Sequence, residues 1–463
     1  MKASSRVTAL QCAVTTIVGL VLLSVTVMLL DLNTKPHLRN LTESLSKASA
    51  HKGAVTDYDF SIHEYTHIFN RPPPRGFAEW LKMVRHNQCL TTANAYAQIY
   101  NDLAPWFKAG SINASALTVP SGRSASQREY TSGSDFMLGL QTLLDKAGVK
   151  PFKYLVNEFD EPAVIPATDE FRDEVYANPQ EMINHNACLQ ETYVDTGLAD
   201  AHSFFLNPDT YISFNKLVPV FSQVKPQCYK DLLIPMAHNH IALTQSGHTL
   251  DKVSWSQKKT VLFWRGSTTD GHHGVRWPKW RNAHRMRAGK WANSFQERFP
   301  ERVFDAGVSD PSSVAGPLMV DVGFYAYIQC DNAGCQEMKE QYPLKEKVSF
   351  EKTLEFKYLL VLDGNSWPNR LQRYLDSNSV ILYNGIFSDW FNGQLRPWIH
   401  YVPVRLDLAD LDDVLHWLQE HDEEARKITV NAKALMAQIN RMEQLRCYTG
   451  LIFLEYSSLY VEQ

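Results

Sequence analysis

Two strand-like runs and one short histidine motif hold the residue types most able to do chemistry. Val261-Leu262-Phe263-Trp264-Arg265-Gly266-Ser267-Thr268-Thr269 is an apolar run that ends in a cation, a glycine and three hydroxyls. A strand ending this way brings backbone N–H groups and hydroxyls to a phosphate, with a guanidinium to balance its charge. Phe356 to Leu362 repeats the logic, because Asp363-Gly364-Asn365-Ser366-Trp367-Pro368-Asn369-Arg370 supplies a glycine turn and an arginine at a helix start. Two such ends in one chain suit a diphosphate, although Arg265 and Arg370 taken singly also fit structural ion pairs. His63-Glu64-Tyr65-Thr66-His67 matches H-E-x-x-H, in which histidines one turn apart can hold zinc while the glutamate acts on its water. That motif lies between a polar stretch and the prolines at Pro72, not inside a long core helix, so a plain helical face is the expected reading.

The elements that must carry these residues follow from hydropathy. Thr260 to Trp264, Phe356 to Leu362 and Val380 to Tyr383 read as buried strands, Pro368 to Asp376 as a helix with proline in its first turn. Asp410 to Gln419 and Glu423 to Ile439 read as amphipathic helices. Strand, helix, strand in this order indicates an α/β fold with a parallel sheet. The 463 residues hold enough chain for two or three domains, and 46 basic against 50 acidic residues give a net charge of −4. No strongly basic face is implied, which removes the electrostatic case for nucleic acid as a partner. D-x-D spacing occurs at Asp57-Tyr58-Asp59 and at Asp410-Leu411-Asp412, the latter at a helix start where acids favour the dipole. Of Trp255, Trp264, Trp277 and Trp280, most are expected in the core.

The N-terminus stands apart. Val7 to Leu30 is 24 residues without a charged side chain, and at ~1.5 Å per residue it exceeds the ~30 Å hydrocarbon core. A cleaved signal peptide would end near Ser24-Val25-Thr26, but apolar residues continue beyond, so a transmembrane helix is expected. Glycosylation triplets at Asn40 and Asn113 place the rest of the chain on the luminal side, as in a single-pass type II protein of the Golgi or ER membrane. Six cysteines outside the span allow 15 pairings, and Cys330 with Cys335 could close a small loop.

Phe263-Trp264-Arg265-Gly266-Ser267, Phe356-Lys357-Tyr358-Leu359, Asp363-Gly364 with Arg370, and Pro397-Trp398-Ile399-His400-Tyr401-Val402-Pro403-Val404 resemble the capsule-associated-protein-like glycosyltransferases. That family includes Rumi-type protein O-glucosyltransferases and fungal β-xylosyltransferases. Pro219-Val220-Phe221-Ser222, Asp231 with Pro235, and the segment from Pro72 to Trp80 extend the similarity upstream. Pro368 and Tyr383 depart from residues common in the family. The resemblance implies a GT-B-like arrangement of two facing Rossmann-like domains: an anchor at 1–30, a stem at 31–70, an acceptor domain at 71–250, a nucleotide-sugar domain at 251–430 and a helical segment at 431–463. It implies a UDP-sugar donor carrying xylose or glucose, a glycan, glycolipid or protein acceptor, no cofactor and no metal. Asp160, in Asn157-Glu158-Phe159-Asp160-Glu161-Pro162, takes the family's role of general base, and Arg265, Gly266, Ser267, Gly364 and Arg370 become the donor-binding set. An inactive carbohydrate-binding relative and a zinc hydrolase using His63, Glu64 and His67 are the alternatives. Luminal topology predicts that endoglycosidase shifts the protein's mobility and that Asn40→Gln with Asn113→Gln abolishes the shift; protease access to the C-terminal part in sealed microsomes would refute it.

Overall fold

The computed structural model describes residues 60–117, 125–164, 201–203, 217–226, 229–235, 251–306 and 317–462. The expected span, Asn40, Asp57, Asp59, Cys188 and Cys228 lie outside the described residues. Among the described residues no helix is long and apolar enough to cross a membrane.

The N-terminal half opens with α1 (Ile62–Phe69), α2 (Phe77–His86) and α3 (Ala97–Ala109), followed by the short strand β1 (Ile112–Asn113). Strands β2 (Ala125–Tyr130) and β3 (Phe152–Asn157) flank α4 (Gln141–Lys146), and β4 (Val220–Ser222), β5 (Val224–Pro226) and β6 (Leu232–Leu233) come later. They form a four-stranded sheet in the order β2-β3-β4-β6, with β2 antiparallel and the other three parallel.

The C-terminal half carries β7 (Lys259–Ser267), α5 (His284–Arg298), β8 (Met319–Ala326), α6 (Asn332–Gln341), β9 (Phe356–Leu362), α7 (Leu371–Leu375), β10 (Val380–Asn384), β11 (Phe387–Asp389) and β12 (Val402–Pro403). Five of these strands build a wholly parallel sheet in the order β12-β10-β9-β7-β8. Parallel sheets are covered on both faces, so their strands read as near-continuous apolar runs. Alternation assigns the two faces: Val261 and Phe263 join a core shared with the N-terminal half, while Leu262 and Trp264 join a second core under α5 and α8 (Leu411–Glu420). The expected strands are present with small extensions, and the helix expected from Pro368 begins at Leu371, after a turn closed by Leu371 N–H on Pro368 O.

Two devices join the halves. After α9 (Asp422–Ile439), the last helix α10 (Met442–Leu459) packs its largely buried surface into the N-terminal core. Cys447 on α10 is disulfide-linked to Cys89, Trp80 Nε1 donates to Cys447 O, and Arg71 pairs with buried Glu455 at 2.8 Å. The chain then ends in β13 (Tyr460–Val461), parallel to β1. The second device is the antiparallel pair β5 and β11, in which Lys225 lies opposite Ser388. Lys225 Nζ donates to Asp102 Oδ1 at 2.5 Å and Asp231 O at 2.6 Å, while Asp102 Oδ2 accepts from Leu233 N–H. Both side chains of this ion pair are almost fully buried, so removing one partner strands a charge. Lys225→Met is expected to lower urea-unfolding stability by about 3–5 kcal/mol, and adding Asp102→Asn to recover a large part of it.

Candidate active site

The parallel strands β7 and β9 end side by side, and the residues flagged in the sequence gather there. Arg370 Nη1 donates to Arg265 O at 2.9 Å, and Gly364 N–H donates to Ser366 O at 2.7 Å, closing a tight turn beyond β9. Ser267 Oγ lies 3.1 Å from Thr269 Oγ1. A Cβ on Gly266 would stand 2.5 Å from the Trp264 ring, so the packing of that tryptophan requires glycine at 266. In open α/β sheets the crevice beyond the carboxyl ends of the strands is the usual ligand site.

One expected member is placed differently. Arg265 continues the face of Val261 and Phe263, and its guanidinium lies over the Phe263 ring and donates from Nη2 to both Asp321 oxygens at 2.8 Å. Lys345 Nζ shares Asp321 at 2.7 Å. The Nη2 end of the side chain is therefore held on β8, while Nε and Nη1 have no hydrogen-bond partner among the described residues.

Sequence reasoning missed the centre of this crevice. Asp363 is fully buried directly after β9, and its Oδ2 accepts from Ile386 N–H at 2.6 Å and lies 3.2 Å from His202 Nε2. His202 stacks on His284 with centroids 3.9 Å apart, and His284 Nε2 reaches Asp363 O at 2.8 Å. Arg285, next on α5, donates from Nε to Asp363 O at 2.7 Å and from Nη1 to Ser267 O at 2.9 Å and Thr269 Oγ1 at 2.6 Å. Asp270 holds the helix start by accepting from Arg285 N–H at 3.0 Å, and its other oxygen bonds His273. Burial pushes Asp363 up to about 7, and pushes His202 and His284 down to about 3. The two histidines are thus neutral at pH 7 and add no positive charge to the crevice.

Asp160 lies on the loop after β3. Asn157 shapes that loop, donating to Glu161 O at 2.6 Å and accepting from Phe159 N–H at 3.1 Å, which leaves Glu158, Phe159 and Asp160 exposed. Gln223 Nε2 donates to Asp160 Oδ1 at 2.8 Å, so a neutral amide orients the carboxylate. Glu158 is instead paired with Arg128. Asp231, flagged by the resemblance, is structural: buried, pushed up to about 6, and bonded to Ala163 N–H, Val164 N–H and Ser222 Oγ.

A contact path joins this loop to the crevice. Asp160 touches Gln223, Gln223 leads into β5, β5 pairs with β11, and Ile386 beside β11 donates to Asp363.

The histidine motif is absorbed by helix capping. Glu64 accepts from Ser61 N–H and Oγ at the start of α1, while His63 and His67 are exposed. Among the described residues no three histidine, cysteine, aspartate or glutamate side chains are grouped to hold a metal ion. Asp410 accepts from Arg405 N–H and Asp412 pairs with Arg298. Trp264 and Trp280 are core residues, whereas Trp255 and Trp277 are partly exposed. Cys330 and Cys335 are disulfide-linked, closing the small loop expected of them.

Fold and crevice together define an α/β protein with a polar crevice at the carboxyl ends of parallel strands. Residues 234–463 match the model of glycosyl transferase family 90, in line with the resemblance carried by the motifs. Protein O-glucosyltransferase 2 of Danio rerio is 34% identical over 120 residues, covering 26% of this chain and 24% of that protein. Protein O-glucosyltransferase 3 of Homo sapiens is 26% identical over 146 residues, 31% of this chain and 28% of that one. Uncharacterized protein 035R of Invertebrate iridescent virus 3 is 24% identical over 310 residues, 63% of this chain and 24% of the viral protein. The matched stretches thus span about a quarter of these relatives' own length.

Asp363 generates a pH test. Its raised pKa means the folded state holds a proton that the unfolded state has released, so its contribution favours folding at low pH and is lost as pH rises from about 4 to about 7. Asp363→Asn removes that titration. Its melting temperature relative to wild type is expected to improve over this pH range; a constant difference would refute the assignment.

Proposed function

We propose that the protein transfers a sugar from a UDP-sugar to a hydroxyl group of a glycan, glycolipid or protein, with inversion at the anomeric carbon. The observation that carries this reading is the contact path from Asp160, on the N-terminal sheet, to the strand-end crevice of the C-terminal sheet. It gives a base and a phosphate site on opposite sides of one interdomain seam, as a GT-B-like arrangement requires. The match to family 90 and the names of the O-glucosyltransferase relatives favour glucose as donor sugar and protein as acceptor, with xylose the alternative donor. Membrane anchoring and a luminal location in the Golgi or ER belong to the same reading.

The chemistry balances on this chain's own groups. Asp160 takes the proton from the acceptor hydroxyl as its oxygen attacks the anomeric carbon. The bond to the UDP oxygen breaks, and its electron pair stays on the diphosphate. Arg370 and Ser267, beside the turns at Gly266 and Gly364, stabilise that charge, the role of fixed dipoles and cations in a preorganised site. No metal is assigned a step.

Asp160→Asn is expected to leave UDP binding within a few-fold and to lower transfer by about 100-fold to 10,000-fold, the usual worth of a general base. Arg370→Ala should weaken nucleotide binding first, because its contact exists before and during bond breaking. Transfer assays beside calorimetric UDP titrations separate the two; near-normal transfer by folded Asp160→Asn would move the base to Glu158 or Glu161.

A further inference from the structure

With Arg265 committed to Asp321, a different cation stands at the strand end. Arg285 is 7% exposed, and three acceptors fix its guanidinium: Asp363 O on Nε, and Ser267 O and Thr269 Oγ1 on Nη1. Nη2 donates to no acceptor among the described residues. A Cβ built on Gly364 would lie 3.2 Å from Nη2, so it is the bare backbone of residue 364 that leaves room beside this end of the guanidinium.

Asp270 and Asp363 lie close enough to favour the Arg285 cation, but neither carboxylate bonds its guanidinium. Burial lowers Arg285 only to about 10, so it is a cation at neutral pH. Asp270 is bonded to His273 and to the backbone of Arg285, while the Asp363 carboxylate serves Ile386 N–H and His202. Arg370 is close enough to push the Arg285 pKa down, so two guanidinium groups share this crevice. A pair of nearby cations with one free, fixed donor end is a poor arrangement for an empty site and a good one for a polyanion.

We propose that Arg285 binds the diphosphate of the donor nucleotide through Nη2, beside Gly364 and together with Arg370. The proposal rests on the donor reading above and adds Arg285 to its donor-binding set. Because three acceptors already hold the guanidinium, binding costs it little rotamer freedom. Its role is to recognise phosphate, not the nucleoside, and that distinction makes it testable.

Isothermal titration of the full-length protein with uridine, UMP and UDP reads it directly. Wild type should bind UDP far more tightly than uridine. Arg285→Gln should lose about 10-fold to 100-fold in UDP affinity, the usual range for a charged hydrogen bond, while uridine affinity stays within about three-fold and circular dichroism is unchanged. Gly364→Ala sets a methyl group against Nη2 and should weaken UDP by about 10-fold with no change in uridine binding; it decides the matter if Arg285→Gln fails to fold. Equal loss of UDP and uridine in the folded variants would make Arg285 merely structural and overturn the proposal, as would unchanged UDP affinity. A wild-type protein that does not distinguish UDP from uridine would instead overturn the donor reading beneath it.

Discussion

Burying a carboxylate without partners is among the costlier things a fold can do, and the strand-end crevice is organised around a buried carboxyl whose Oδ2 has found them. Asp363 comes at the end of the central strand β9 and receives contacts from three separate segments: His202 from the N-terminal half, Ile386 from the turn before β11, and, through its carbonyl, His284 and Arg285 at the start of α5. Each contact fixes one wall of the site. Without the Ile386 contact the turn leading into β11 loses its anchor, and with it the seam through β5 to the Asp160 loop. The position of the Asp160 loop, the proposed base, is therefore linked to a carboxylate in the other half of the molecule.

Much of the framework was legible in the sequence because parallel strands buried on both faces leave uninterrupted apolar runs. β7, β9 and β10 were visible for that reason, as were the amphipathic α8 and α9. β8 was not, since Met319–Ala326 carries Asp321 and Gly323 in its interior and reads as a polar break. Asp321 is there to hold Arg265. Arg265 follows Val261 and Phe263 on one face, a period-two pattern that sets its Nη2 against Asp321. Arg285 left no local signal either, because α5 has no capping side chain at Ala283 and takes its cap from Asp270, 15 residues upstream.

Long-range partners were the other blind spot. The nearby pair Cys330 and Cys335 could be anticipated from spacing, whereas Cys89 with Cys447 joins residues 358 positions apart. Nothing in the composition of α10 says that it belongs to the N-terminal core. Its buried Glu455 makes sense only beside Arg71 and Tyr65, which come from the other end of the described chain. The family match covers residues 234–463 and so includes the crevice but not Asp160. The proposal of Asp160 as base rests instead on its loop: an exposed carboxylate held by a neutral amide, beside a glutamate already paired with Arg128.

Hydrogen exchange of the full-length protein with and without saturating UDP tests the central claim most directly, that the nucleotide sits at these strand ends and is coupled through Asp363 to the seam. The account expects added protection in peptides covering 265–271, 283–287 and 363–371, with a smaller gain at 385–390 and 222–226. Protection confined to the N-terminal helices, or absent from all of the first three peptides while UDP is bound, would contradict it.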